Sequence, residues 1–282
     1  MLTWVEISAS ALKHNISVFK KIIKPQTKIM AVIKSNAYGH DMRLIANLCE
    51  RNVSVDSFGV INLDEALTLV SQGIKKPIII LSFFELNELN TITQSKLNQI
   101  RLPLYDMEMA KKICAILKKN NLTARVHVKI DTGATRLGFF SSEIFGIIKF
   151  IKTNKKYLQL EGLYTHFADS EEDKQFTIQQ SSLFKDICKK FVKAGFKNLI
   201  IHNACTAASV SYDSSQGSTI RLGLGLYGLN PTDAVGRMIY KKTGKKLQPV
   251  LAWKTKIIQV KNITPNTTVG YGRTYKAKHK MK

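Results

Sequence analysis

The stretch Met30-Ala31-Val32-Ile33-Lys34-Ser35-Asn36-Ala37-Tyr38-Gly39-His40 delivers a single lysine at the end of a short apolar run and then breaks into small and polar residues. Such a run reads as a buried strand that ends in a functional loop. Withdrawing an ammonium from water costs on the order of several kcal/mol unless it is paired or deprotonated. Burial therefore pushes Lys34 toward the neutral amine, a nucleophile able to form a Schiff base with a carbonyl compound or with pyridoxal 5'-phosphate (PLP). Ser35 to Gly39 supply a hydroxyl, an amide, a phenol and a flexible turn, a suitable rim for an anionic cofactor. The plainer reading is a lysine that leaves the strand and snorkels into solvent.

PLP needs a lysine for its aldehyde, a cradle for its phosphate and a partner for its ring nitrogen. Cys205-Thr206 before a short helix, with Arg221-Leu222-Gly223-Leu224-Gly225-Leu226-Tyr227-Gly228, offers a hydroxyl and backbone N–H groups for a phosphate. Other groups of interest are Lys129 and Arg136 in Lys129-Ile130-Asp131-Thr132-Gly133-Ala134-Thr135-Arg136, His166 in Tyr164-Thr165-His166-Phe167, and Tyr271 in Val269-Gly270-Tyr271-Gly272-Arg273-Thr274-Tyr275. Taken singly, each has an ordinary structural reading: a solvated arginine or lysine, a hydrogen-bonded histidine, a packing tyrosine.

The elements that must position these groups follow from hydrophobic periodicity. Thr3 to Ile7 forms a short strand, and Ser8 or Ser10 caps a helix with Leu12, Ile16, Phe19 and Ile23 on one face. Strands are expected at Lys28–Lys34, Phe58–Ile61, Pro77–Leu81, Leu97–Leu104, Ala124–Ile130, Leu158–His166, Asn198–His202 and Ser218–Leu222, with helical stretches between them. Eight strands alternating with helices predict a closed parallel (β/α)8 TIM barrel, with an open doubly wound sheet as the fallback. A barrel gathers its chemistry at the carboxyl ends of its strands. Lys34, the segment reaching Arg136, His166, the segment from His202 to Thr206, and Arg221 all lie at those ends.

A chain of 282 residues with 44% hydrophobic composition can bury a large core. Its 43 basic residues against 20 acidic ones give +23, but the charge is spread over pairs such as Lys20-Lys21 and Lys155-Lys156 without aromatic interleaving. No nucleic-acid partner is expected. The four cysteines lie far apart without C-x-x-C spacing, so neither a metal centre nor a disulfide framework is expected. No apolar run approaches a membrane span, and a soluble cytoplasmic protein is the expectation.

The segments A-V-I-K-S-N-A-Y-G-H, D-T-G-x-x-R-L-G, G-L-Y-T-H-F, R-L-G-x-G-x-Y-G and G-Y-G-R-T-Y occur in an order that closely resembles the alanine racemases. The resemblance implies PLP-dependent interconversion of L- and D-alanine, supplying D-alanine for peptidoglycan. It implies that Lys34 and Tyr271 are bases on opposite faces of the substrate, Tyr271 coming from the other subunit of a head-to-tail homodimer. Arg221 would face the pyridine nitrogen and His166 would orient Arg221. Arg136 would contact the cofactor's phenolic oxygen and the substrate carboxylate, held by a carbamylated Lys129. Tyr38, Thr206, Gly223 and Leu224 would also bind the cofactor, with the Thr206 hydroxyl facing its phosphate. Because an arginine has donors and no acceptor, the ring nitrogen facing it stays unprotonated, a poorer electron sink that limits transamination.

The chain departs from the family pattern at Cys205-Thr206, where an Asn-Ser pair is more usual. The expected organisation is a PLP-binding barrel over residues 1–240, with residues 1–8 pairing with a C-terminal β-domain that begins at 241 and is incomplete at 282. On that reading Leu251–Val260 and Val269–Tyr275 are strands of that domain, and the chain folds its barrel but racemises poorly or not at all. The alternatives are another PLP barrel enzyme, a broad-specificity racemase or a decarboxylase, and a non-catalytic PLP-binding remnant. Arg221 argues against a decarboxylase, which needs an acidic partner for the ring nitrogen.

Overall fold

The computed structural model describes residues 1–213 and 216–282. They form two compact units, one of Ser8–Val250 and one of Met1–Ile7 with Leu251–Lys282.

The larger unit is built on eight parallel strands: β2 (Lys28–Val32), β3 (Ser57–Val60), β4 (Ile78–Ile80), β5 (Ile100–Leu104), β6 (Ala124–Lys129), β7 (Leu158–Tyr164), β8 (Ile200–His202) and β9 (Thr219–Leu222). Each pairs with the next in sequence from β2 to β8, and β9 pairs with β2. The ring closes where the Ser218 N–H donates to the Ile201 carbonyl (2.9 Å) and the Arg221 N–H to that of Ala204 (2.9 Å). This is the (β/α)8 barrel that the alternation predicts.

Helices cover the outside by turning an apolar stripe inward, and several of them start at a side-chain cap. In the helix Ala9–Ile22, Ser8 Oγ accepts from the Ala11 N–H (3.2 Å), and Leu12, Ile16 and Phe19 are buried together. Asn62 caps Leu63–Ser71, Asp106 caps Met107–Lys119, Asp173 caps Lys174–Lys193 and Thr232 caps Asp233–Thr243. Among the described residues no helix is long and apolar enough to cross a membrane.

Several elements differ from the expectation at their ends. The strand expected from Leu97 starts at Ile100, because Gln94–Leu97 closes a helical turn first. The strand expected to carry Lys34 stops at Val32, and Lys34 opens a turn of inverted hand.

In the smaller unit, β1 (Thr3–Ile7) pairs antiparallel with β10 (Leu251–Thr255), Thr3 opposite Thr255 and Ile7 opposite Leu251. The expected strand through Val260 stops at Thr255, opposite Thr3, and just past it the Lys256 N–H donates to the Leu2 carbonyl (2.9 Å). The expected strand Val269–Tyr275 is instead a tight hairpin of β11 (Thr268–Val269) and β12 (Tyr275–Lys276) around a 3-10 turn at Tyr271–Arg273. Gly270 and Gly272, both at positive φ, bend the chain there.

Candidate active site

Lys34 enters the barrel mouth from a one-turn left-handed helix. Ser35, Asn36, Ala37 and Tyr38 have φ of 53°, 52°, 55° and 54°, a conformation that costs L-residues on the order of 1–2 kcal/mol each. Local hydrogen bonds and a distant carboxylate hold it. The Ala37 N–H donates to the Ile33 carbonyl (2.8 Å), and Asn36 Oδ1 accepts from the Met42 N–H (2.8 Å). Glu65, on the helix after β3, accepts from the Asn36 N–H (3.3 Å) and from the Ile61 N–H (2.8 Å). The strain is concentrated at the residues that aim Lys34 and Tyr38, as is common at functional sites.

Lys34 and Tyr38 line a cavity of about 380 Å³ at the carboxyl ends of the strands, together with Lys129, Arg136, His166, Cys205, Thr206, Arg221, Gly223 and Leu224. All of the expected site residues except Tyr271 therefore meet in one cavity. Tyr271 stands fully exposed in the smaller unit. Among the described residues no group of three or more His, Cys, Asp or Glu side chains is arranged to hold a metal ion.

The cavity is rich in cations. Burial, and then the Arg136 charge, hold the Lys34 ammonium below the ordinary lysine range. Lys129, at the end of β6, is buried with no hydrogen-bond partner among the described residues, and its Nζ lies 5.8 Å from the centre of the Tyr164 ring. Burial and the nearby arginines pull it down to about 8. The Arg136 loop is set by Asp131, whose Oδ1 accepts from the Gly133 (2.9 Å) and Thr135 (3.1 Å) N–H groups.

Arg221 is buried and is held by acceptors from two strand ends, those of β7 and β8. Its Nη1 donates to the His202 carbonyl and lies 3.4 Å from His202 Nδ1. Its Nη2 donates to the Thr165 (2.8 Å) and Asn203 (3.2 Å) carbonyls and to His166 Nδ1 (3.1 Å). Nε–H has no acceptor among the described residues. Burial and then the Arg221 charge lower the His166 imidazole to about 3, so it is neutral.

At the opposite wall Thr206 opens the helix Thr206–Ser211 and its Oγ1 accepts from the Gly225 N–H (3.2 Å), which leaves the hydroxyl proton free. A Cβ placed on Gly223 would come within 3.1 Å of Tyr38 Oη, so the bare glycine keeps its backbone open to the cavity beside the phenol. The departure at Cys205 puts a thiol in the cavity wall, 3.2 Å from Ser170 Oγ.

Four side chains around this site escape a reading of the sequence by segments. Glu65 reaches back to the Lys34 turn, and Tyr164 stacks on His202 with ring centres 4.7 Å apart. His127 and Glu161 continue the polar contacts inward from His202.

The sequence matches two family models, the alanine racemase N-terminal domain over residues 7–231 and the alanine racemase C-terminal domain over residues 250–282. It is 33% identical over 282 residues to the alanine racemase of Methanococcus maripaludis, covering 99% of this chain and 73% of that protein. With alanine racemase 1 of Caldanaerobacter subterraneus subsp. tengcongensis the identity is 34% over 279 residues, covering 99% and 69%. The solved structure of alanine racemase from Clostridium difficile 630 superposes with a TM-score of 0.86 at 32% identity, over 99% of this chain and 71% of that one. With this barrel, this cavity and these matches, the chain belongs to the alanine racemase family.

Proposed function

We propose that this protein interconverts L-alanine and D-alanine with PLP as cofactor, in the cytoplasm and as a homodimer, and that the D-alanine serves peptidoglycan synthesis. The observation that carries this reading is the convergence of Lys34, Arg136, His166, Thr206 and Arg221 on one cavity of about 380 Å³, within the usual size range of small-molecule sites.

The residues present fit PLP. Lys34 offers an amine shifted toward its neutral form. Thr206 Oγ, the open backbone of Gly223 and Leu224, and Tyr38 Oη form the phosphate cradle. Arg221 Nε–H is a donor without an acceptor among the described residues, suited to an unprotonated pyridine nitrogen. When bound, PLP supplies an electron sink for the alanine α-carbon as it loses its proton.

The chain's own groups then divide the work. Racemisation removes the α-proton from one face and returns a proton to the other, which requires two bases unless one can cross the plane. Lys34 Nζ serves the D-alanine face and Tyr271 Oη, from the partner subunit, the L-alanine face. Arg136 binds the substrate carboxylate. Lys129, buried and without a hydrogen-bond partner among the described residues, is lowered to about 8, so its neutral amine is available to add CO2 with loss of a proton, and the resulting carbamate gives Arg136 an anionic partner. His166 orients Arg221 through its Nδ1.

The test is borohydride reduction of the PLP-loaded protein followed by peptide mapping, beside an assay of D-alanine formation from L-alanine. Cofactor fixed on Lys34 together with racemisation is the expected result; label on another lysine, or no turnover, overturns the reading.

A further inference from the structure

TIM-barrel interiors are ordinarily filled by layers of branched apolar side chains. Here a polar chain crosses the interior below the cavity, running Arg221, His202, His127, Glu161, Arg101. His202 Nε2 and His127 Nδ1 are 2.7 Å apart, His127 Nε2 lies 3.2 Å from Glu161 Oε2, and Arg101 forks onto Glu161 at 2.7 and 2.9 Å. The backbone is shaped for it. The β6–β7 register shifts between Val126, opposite Leu160, and His127, opposite Gly162, so Glu161 is the extra residue of a β-bulge that re-aims its side chain. A Cβ on residue 162 would come within 2.6 Å of the His127 ring, so glycine there makes room for the imidazole.

The ends of the chain fix the direction of every proton in it. An arginine only donates and an ionised carboxylate only accepts. Glu161 therefore requires the proton of His127 on Nε2, which leaves Nδ1 to accept from His202 Nε2–H, which in turn leaves His202 Nδ1 bare toward Arg221. Both imidazoles are neutral Nε2–H tautomers, and neither opposes the Arg221 guanidinium with a donor.

We propose that Glu161 is a positioning residue for the racemisation, setting through His127 and His202 the hydrogen-bond direction that holds Arg221 with its Nε–H turned to the cofactor ring. The proposal rests on the PLP reading above and extends it to a residue separated from the cavity by two histidines and an arginine.

The experiment compares the wild-type protein with R101L/E161L, which removes the anionic anchor and its counter-charge together and so leaves no unpaired buried charge. Two readouts are taken. Imidazole 15N shifts report the tautomers of His127 and His202 with or without cofactor. Product analysis gives the ratio of racemisation to abortive transamination, in which the proton returns to the cofactor carbon, alanine leaves as pyruvate and PLP leaves as pyridoxamine phosphate. Expected are Nε2–H tautomers at both histidines in the wild type, a mixed population at His202 in the variant, and a fall in the ratio of about tenfold, the worth of one weakened charge-assisted hydrogen bond. A merely structural role would slow both reactions together, and an unchanged ratio overturns the proposal. So do Nδ1–H tautomers in the wild type, or an unchanged His202 in the variant. If the wild type shows the expected tautomers but neither binds PLP nor racemises, the functional reading fails while the relay stands. R101K, which keeps the ion pair, must retain the wild-type tautomers; their loss there also overturns the proposal.

Discussion

His166 Nδ1 accepts a hydrogen bond from Arg221 Nη2 at 3.1 Å. Since the guanidinium cannot accept, the imidazole proton sits on Nε2, and burial beside four cations keeps the ring neutral with a value lowered to about 3. A histidine in that state orients its neighbour and does not trade protons near neutral pH. Its 15N signals should accordingly show one neutral tautomer from pH 8 to pH 5; protonation near pH 6.5 would refute the assignment.

Replacing Arg221 by lysine keeps the charge and loses the fork. A single ammonium cannot satisfy the Thr165, His202 and Asn203 carbonyls together, and each buried acceptor left unpaired costs about 1–3 kcal/mol. Arg221→Lys should lower the urea midpoint and slow racemisation on the order of 100-fold. A variant as stable and active as the parent would show that the fork is dispensable.

Tyr271→Phe tests the proposed division of labour between Lys34 and Tyr271. On the proposed mechanism Lys34 still serves the D face, so exchange of the α-proton into deuterated water should be suppressed far more from L-alanine than from D-alanine. Equal small losses from both would remove Tyr271 from the chemistry.

Lys129→Met keeps the length and burial of the side chain without the amine. It should lower kcat/KM for alanine on the order of 10-fold to 100-fold by leaving Arg136 without the proposed carbamate. In the parent, 13C-labelled bicarbonate should yield a carbamate signal that the variant lacks. A parent without that signal would rule out the carbamate.

Acid should destabilise the barrel early. Burial lowers the pKa values of His127, His166 and His202, so below about pH 6.5 the unfolded chain binds up to three more protons than the folded one. Stability then falls with falling pH by up to about 4 kcal/mol per pH unit, at about 1.4 for each group. Glu161 adds to the loss further down. Its burial would raise it, but the hydrogen bonds from His127 and Arg101 outweigh that and hold it at about 2, so the stability it lends above about pH 4.3 is lost as pH falls toward 2. Urea midpoints at pH 7, 6 and 5 measure the first part, and a flat series would contradict neutral burial of the three rings.

The strand-end residues were legible because a parallel barrel ties function to strand order, and short motifs marked Lys34, Arg136, His166 and Arg221 one strand at a time. The interior chain was hidden by an ambiguity of pattern. In Arg125-Val126-His127-Val128-Lys129 polar and apolar residues alternate, as in a strand half exposed to water. Yet His127 and Lys129 are buried along with Val126 and Val128, because helices cover one face and the barrel interior the other. Glu65 was illegible for a different reason. Its partner Asn36 lies 29 positions earlier, and no local spacing announces that a helix residue will reach back to a turn.

The left-handed turn after Lys34 also bears on the order of events in folding. An unfolded chain rarely visits four successive residues of inverted hand, so the turn gains nothing from local propensity and should close only once β3 and the Glu65 helix have docked. Contacts made after the rate-limiting step govern unfolding more than folding. Glu65→Ala should therefore leave the refolding rate nearly unchanged and speed unfolding, so that the segment carrying the reactive lysine is among the last to form and the first to open.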